Sequence, residues 1–249
     1  DATGLRKYEY GSQGEIVKDI RTIIAPGQDN KTYVHRFHYD TWNRIDTLIY
    51  PNKDTLLYKY DLGGNLNFMK AGVQVYIDSI GYDEFEQKVF CKYGNSTSQT
   101  YAYTTTLRRL FNLVSKDHSG NNMYNLSYTF DKIGNVDSIH NSAGIINEMG
   151  GSYYHKYTYD NFNRISTAHG SWTGDPMNTL GNKASNYTLE MAYENMHRIS
   201  TKQQEHIRDA SNVGENTYDN LFKYEDVNHP NAVTSIENQS NSEVEEFNY

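Results

Sequence analysis

The sequence predicts an all-β fold of tandem β-hairpins that pair into a long, twisted, curved sheet, and three observations predict it. A pair of ring-bearing or apolar residues two apart, followed by an acid and then by Gly or Asn four places on, recurs at least eight times in 249 residues. The second members of the pairs are Tyr10, Tyr39, Tyr60, Tyr82, Tyr103, Phe130, Tyr159, Tyr193 and Tyr224, at steps of 29, 21, 22, 21, 27, 29, 34 and 31. A period set by insertions around a short minimum marks stacked copies of one supersecondary unit. Finally, 23 Tyr stand against 9 Phe and 2 Trp at a mean hydropathy of −0.82. Aliphatic material is too scarce for a thick core, yet periodic aromatics are the reverse of a disordered composition.

The clearest copy runs from Phe37 to Tyr60. Phe37 and Tyr39 share one face of a strand, since side chains alternate. Asp40-Thr41-Trp42-Asn43 reads as a turn, because the Asp side chain accepts backbone N–H bonds and Asn tolerates the left-handed conformation. Arg44 to Tyr50 returns as a strand, Pro51-Asn52-Lys53-Asp54 turns again with proline presetting φ, and Thr55 to Tyr60 opens the next copy. The unit is a hairpin of about 21 residues.

The other copies follow. Two places before each anchor stand Tyr8, Phe37, Tyr58, Ile80, Tyr101, Tyr128, Tyr157, Met191 and Phe222. Four places after stand Gly14, Asn43, Gly64, Glu86, Leu107, Gly134, Asn163, His197 and Asn228, six of the nine being suited to positive φ. Glu86 and Leu107 depart from the rule, which predicts altered turns there. Ile16, Ile45, Leu66, Val136, Ile165 and Ile199 supply the returning strands. Only Ala192 to Arg208 could hide a short turn of helix. Nine hairpins give about 18 strands, a ribbon on the order of 85 Å that must twist and curl. The expected organisation is one continuous array over 1–249, a fragment of something larger: Tyr8-Glu9-Tyr10 starts near one end, and Phe247-Asn248-Tyr249 opens a tenth copy at the other.

The motifs Tyr39-Asp40-Thr41-Trp42-Asn43-Arg44-Ile45, Tyr60-Asp61-Leu62-Gly63-Gly64-Asn65-Leu66, Phe130-Asp131-Lys132-Ile133-Gly134-Asn135-Val136 and Tyr159-Asp160-Asn161-Phe162-Asn163-Arg164-Ile165 resemble the YD repeats of the Rhs family. Tyr93-Gly94-Asn95 to Arg108-Arg109-Leu110 is similar to the central part of Rhs and Tc-toxin C components, and His229-Pro230-Asn231-Ala232-Val233-Thr234 to a segment before the Rhs core in Bacteroidetes-type members. The resemblance implies a spiral shell of hairpins around a C-terminal toxin or other variable domain, delivered by secretion machinery or displayed at a cell surface. Teneurins carry a similar shell as adhesion receptors. It further implies a secreted or cell-surface bacterial protein whose export signal lies outside this piece. Many members cleave themselves at an Asp-Pro motif followed by a glycine pattern. Asp175-Pro176 here is followed by Met177-Asn178 and lacks it, so no protease residues carry over.

The residues point to no enzyme and to no catalytic, cofactor or metal site. His35 and His38, three apart, fall on opposite faces of a strand. Asp40, Asp61, Asp83, Asp131 and Asp160 could suggest paired carboxylates, but their fixed place after the ring makes them turn caps. Arg44, Arg164 and Arg198 share one repeat position suited to stacking or to pairing with a neighbouring unit's acid. Gly170-Ser171-Trp172-Thr173-Gly174 has no serine at its centre and reads as a loop insertion rather than a nucleophile elbow. Gly11-Ser12-Gln13-Gly14 lacks the Lys-Ser/Thr ending of a phosphate loop. Cys91 is alone, so neither disulfides nor thiolate clusters arise. A net charge of −8 with interspersed signs argues against nucleic acid, and no run approaches the roughly 18 apolar residues of a membrane span. The structural motif is therefore Tyr10, Tyr39, Asp40, Tyr60, Asp61, Gly64, Tyr82, Asp83, Tyr103, Phe130, Asp131, Gly134, Tyr159, Asp160, Arg164, Tyr193 and Tyr224. Its expected partners are neighbouring Rhs repeats and a C-terminal cargo domain, with glycans stacked on exposed rings such as Tyr153 and Tyr154 as the alternative.

Overall fold

Short alternating segments rich in Tyr, Ile, Thr and Val, punctuated by turn residues, form strands, and the chain is strand for most of its length. A computed structural model of the chain describes residues 4–146, 149–174 and 183–249. Asp175-Pro176 and Met177-Asn178 lie outside these.

The chain divides into two units, 1–100 with 117–120, and 101–116 with 121–249. The first contains β1 (Gly4–Tyr10), β2 (Ile16–Ile23), β3 (Lys31–Tyr39), β4 (Ile45–Ile49), β5 (Thr55–Tyr60), β6 (Leu66–Ala71), β7 (Gln74–Tyr82), β8 (Lys88–Tyr93) and the start of β9 (Ser98–Tyr103). Each strand pairs antiparallel with the next. The second contains β10 (Leu110–Lys116), β11 (Asn122–Phe130), β12 (Val136–Asn141), β13 (Ile145–Ile146), β14 (Met149–Gly150), β15 (Ser152–Tyr159), β16 (Ile165–Gly174), β17 (Lys183–Tyr193), β18 (Ile199–Arg208), β19 (Ser211–Asn212), β20 (Tyr218–Lys223), β21 (Ser235–Asn238) and β22 (Glu243–Glu246). Pairing again follows chain order, except that β13 and β14 form their own ribbon and β18 pairs with both β19 and β20.

Twenty of the described strands lie in antiparallel sheet outside that ribbon, against about 18 expected. The nine predicted hairpins are present; the short β19 and the opening strand β22 add two. Among the described residues the only helical segments are two three-residue 3₁₀ turns, Asn195–His197 and Gly214–Asn216. Gly170 to Gly174 is not a loop: it ends β16, with residues 170–173 paired on both sides, and β16 and β17 reach 10 and 11 residues.

Six hairpins share one turn. In the first the Gly11 N–H bonds the Glu15 carbonyl and the Gly14 N–H the Gly11 carbonyl, and Asp40, Asp61, Asp83, Asp131 and Asp160 open the same pattern. The fourth residue after the anchor has φ of 85° at Gly14, 59° at Asn43, 92° at Gly64, 105° at Gly134 and 61° at Asn163. Glu86 does not alter its turn: it takes φ 62° in the same hydrogen-bond frame. Leu107 does mark a change, because Arg108 takes the positive φ in a turn one residue longer, Thr104 to Arg109. Asn228 has no positive φ; its turn begins a residue late, at Asp226, whose carboxylate caps Asn228 and His229.

Buried side chains are few, as a sheet poor in aliphatics requires. In the first unit Ile80 and Cys91 are buried, the thiol residue at 2% exposure. In the second, Ala143, Ala168, Ser115, Ser138 and Asn141 are buried. Asn141 is hydrogen-bonded through both ends of its amide: its Oδ1 accepts from the Asn125 and Ala143 N–H groups and its Nδ2 donates to the Gly151 carbonyl, as buried polar side chains generally are.

Candidate functional site

The motif residues converge at the junction of each hairpin with the one before it. The register slips by one residue at Tyr10, Tyr39, Tyr60, Tyr82, Phe130, Tyr159 and Tyr193, each opposite the residue six places on. Such a bulge interrupts the ladder and sharpens the local twist. In the first unit Tyr39 Oη donates to the Ile16 carbonyl at 2.8 Å, Tyr60 to Ile45 at 2.6 Å and Tyr82 to Leu66 at 2.9 Å. In the second, Tyr159 donates to Val136 at 2.7 Å, Tyr193 to Ile165 at 2.9 Å and Tyr224 to Ile199 at 3.0 Å. Each acceptor is the first residue of the preceding hairpin's returning strand, at the bulge. Burial pushes all six phenols above their ordinary pKa, which keeps them as donors.

The turn acids fix the other side of the junction. Asp40 Oδ1 accepts from the Trp42 and Arg44 N–H groups and Oδ2 from Arg44 Nε at 2.8 Å; Asp160 repeats this with Phe162 and Arg164. Hydrogen bonding to the arginine side chain holds both carboxyls below the usual range. Asp131 accepts from Ile133, Gly134 and Asn135 N–H groups, Asp83 from Phe85 and Gln87, and Asp61 from Asn65. The arginines therefore pair with the acid of their own turn, not of a neighbouring unit as expected; Arg198 likewise meets Glu194. Their reach to the neighbour is by stacking: the Arg44, Arg164 and Arg198 guanidiniums lie 4.2, 4.3 and 4.6 Å from the ring centroids of Tyr60, Tyr193 and Tyr224, a favourable cation–π geometry. Phe130 has no hydroxyl and is held from its ring by Arg109 at 5.4 Å. A Cβ on Gly134 would lie 2.6 Å from Arg109 Nη2, the movable end of that side chain, so it is the φ of 105° that calls for glycine there. Tyr10, in the first copy, is exposed and tilts against Tyr8; Tyr103 ends β9.

In the second unit the anchor face carries a further cluster that the sequence does not reveal. Tyr153, His155 and Tyr157 alternate along β15, and Tyr187 crosses Gly170 so that its hydroxyl lies 3.1 Å from His155 Nδ1. Any Cβ on Gly170 would meet the Tyr187 ring at 2.1 Å. Burial under these rings pushes the His155 pKa down. Tyr153 is half-buried there, whereas Tyr154 points to the other face and is exposed. The signal was Gly170 within an alternating stretch, since a strand glycine marks a close approach.

Each acid is engaged in its own turn, and among the described residues no three His, Cys, Asp or Glu side chains converge on a metal position. No described helix is long and apolar enough to cross a membrane. The arrangement does mechanical work: it joins hairpin to hairpin.

No family model matches this chain, and neither does any curated protein. Solved structures do. TcdB2-TccC3-TEV superposes with a TM-score of 0.79 at 20% identity over 96% of this chain, and TcdB2-TccC3 without its hypervariable C-terminal region with 0.78 at 21% over 94%. The Tc holotoxin pore of Photorhabdus luminescens, carrying the TccC3 D651A mutation, gives 0.76 at 22% over 89%. The fold is theirs. This chain spans 12% of the length of each.

Proposed function

We propose that this chain, folded like a stretch of TcdB2-TccC3, is a wall segment of a Rhs-type shell that encloses a C-terminal toxin or other variable domain of the same protein. One observation carries the reading: in each unit, successive hairpins are stapled by a phenol-to-carbonyl bond at the bulge. Such a wall separates by sterics, and no chemical step is assigned to it. The motif residues act as one fastening, with Asp setting the turn, Arg or Asn closing it, and Tyr reaching back. Its partners are further repeats and the enclosed polypeptide, and its place is a secreted protein. Limited proteolysis of the natural full-length protein tests this. A polypeptide C-terminal to the repeats is expected to survive protease that digests it when expressed alone; equal digestion overturns the proposal.

Glycan binding is a second reading with one observation in its favour. An open cleft of about 830 Å³ in the first unit is lined by Leu56, Met69 and Ala71 and by the exposed Tyr33, Tyr50 and Tyr76, a combination suited to stacking on sugars. A glycan array probed with the wild type and with Tyr76→Ala decides: a signal lost in the variant supports it, and a blank array sinks it.

A further inference from the structure

The cleft of the first unit is built from residues that the hairpin motif does not use. Tyr33 lies early in β3, Tyr50 follows β4 and Tyr76 lies early in β7, at the end of the hairpins away from the motif turns. They are 42%, 37% and 47% exposed. Tyr39, Tyr60 and Tyr82 spend their hydroxyls on carbonyls of the wall; among the described residues Tyr33, Tyr50 and Tyr76 do not.

Local structure positions two of the three. Tyr50 precedes Pro51 in a turn closed by bonds from the Tyr50 N–H to the Asp54 carbonyl and from the Lys53 N–H to the Tyr50 carbonyl. Its ring meets His35 edge-on at 5.5 Å. Tyr76 is the extra residue where β6 and β7 slip register, with Met69 opposite Ile77 and Lys70 opposite Val75, and a bulge re-aims the side chain it carries. The volume of about 830 Å³ lies within the span of ligand clefts, about 300–1,000 Å³.

The lining also carries a charge of one sign. Among the described residues that line the cleft, Asp54 alone is charged at neutral pH. Its carboxylate accepts the Asn52 amide at 2.6 Å and pairs with no cation among the described residues. An acidic sugar would meet a like charge there and no base. A protonated amine would instead give the carboxylate its counterion through a charge-assisted hydrogen bond, and the tyrosine faces attract cations as well.

Building on the glycan reading above, we infer that the ligand of this cleft is an amino sugar, stacked on the tyrosines with its ammonium on Asp54. Three trisaccharides that share the cellulose backbone and carry an amine, an acetamide or a hydroxyl at the second carbon test it. Each is titrated calorimetrically into the 249-residue chain in mildly acidic buffer, where the amine is protonated. The amino form is expected to bind at least about tenfold more tightly than the other two, the weight of one charge-assisted contact. Asp54→Asn, which keeps the backbone bonds of the turn, should abolish that preference, and Tyr76→Ala should weaken all three sugars. Because the chain carries a net charge of −8, Glu84→Gln, at an exposed acid in a motif turn at the far end of the hairpins, serves as the control and should leave the preference intact. Equal affinity for the three sugars overturns the inference and leaves the glycan reading standing, whereas no binding by any of them overturns both. A preference that survives Asp54→Asn with native circular dichroism, or that Glu84→Gln removes equally, belongs to the overall charge and overturns the assignment to this cleft.

Discussion

A phenol hydroxyl is the smallest part on which this wall depends. Tyr60→Phe keeps the ring beneath Arg44 but leaves the Ile45 carbonyl without its 2.6 Å donor, and a lost buried hydrogen bond costs about 1 kcal/mol. Urea denaturation should show that loss with an unchanged slope. The acid beside each anchor makes a prediction in pH. Because Arg164 holds the Asp160 carboxyl below its usual range, the folded chain binds that proton less readily than the unfolded one. The stability it contributes is full above the ordinary carboxylate pKa and drains as pH falls through the lower, folded value. Melting temperatures of Asp160→Asn and wild type should therefore differ most near neutrality and converge in acid. The caps at Asp40, Asp131 and Asp160 were legible because an acid directly after a strand has few other uses. Glu86 misled because residue preference is weak beside a closed frame: Asp83 binds the Phe85 and Gln87 N–H groups, and Glu86 accepts positive φ at a modest local cost.

Hairpins were readable from the period, but what bonds them was not. The bulge leaves no compositional mark beyond the constant six-residue distance from Tyr39 to Ile45 or Tyr159 to Ile165, and the staple spans residues 15 to 28 apart in sequence. The stretch 170–174 was misread because glycines at both ends look like punctuation. In three dimensions Gly170 is the floor on which Tyr187 lies to reach His155. Gly170→Val should destabilise the second unit by about 1–3 kcal/mol, as overpacking does, and the NMR signals of His155 and Tyr187 should shift together. If those signals stay put and stability is unchanged, the crossing is not what the glycine is for.

At the scale of the molecule, composition anticipated a wall with almost no interior, and buried residues such as Cys91, Ala168 and Asn141 are correspondingly scattered. Without a common core, opening free energies should be spread along the array rather than collapsed to one global value. Native-state hydrogen exchange is expected to grade from slow amides around Cys91 and Asn141 to fast ones at the turns; a single protection factor throughout would contradict this. The solitary thiol offers a simpler clock. Cys91 sits buried in mid-strand with a neighbour zipped to it on either side, so an alkylating reagent can reach it only when the wall around it opens. The pace of its modification in native buffer times that local breathing in the unaltered protein, with no label to install.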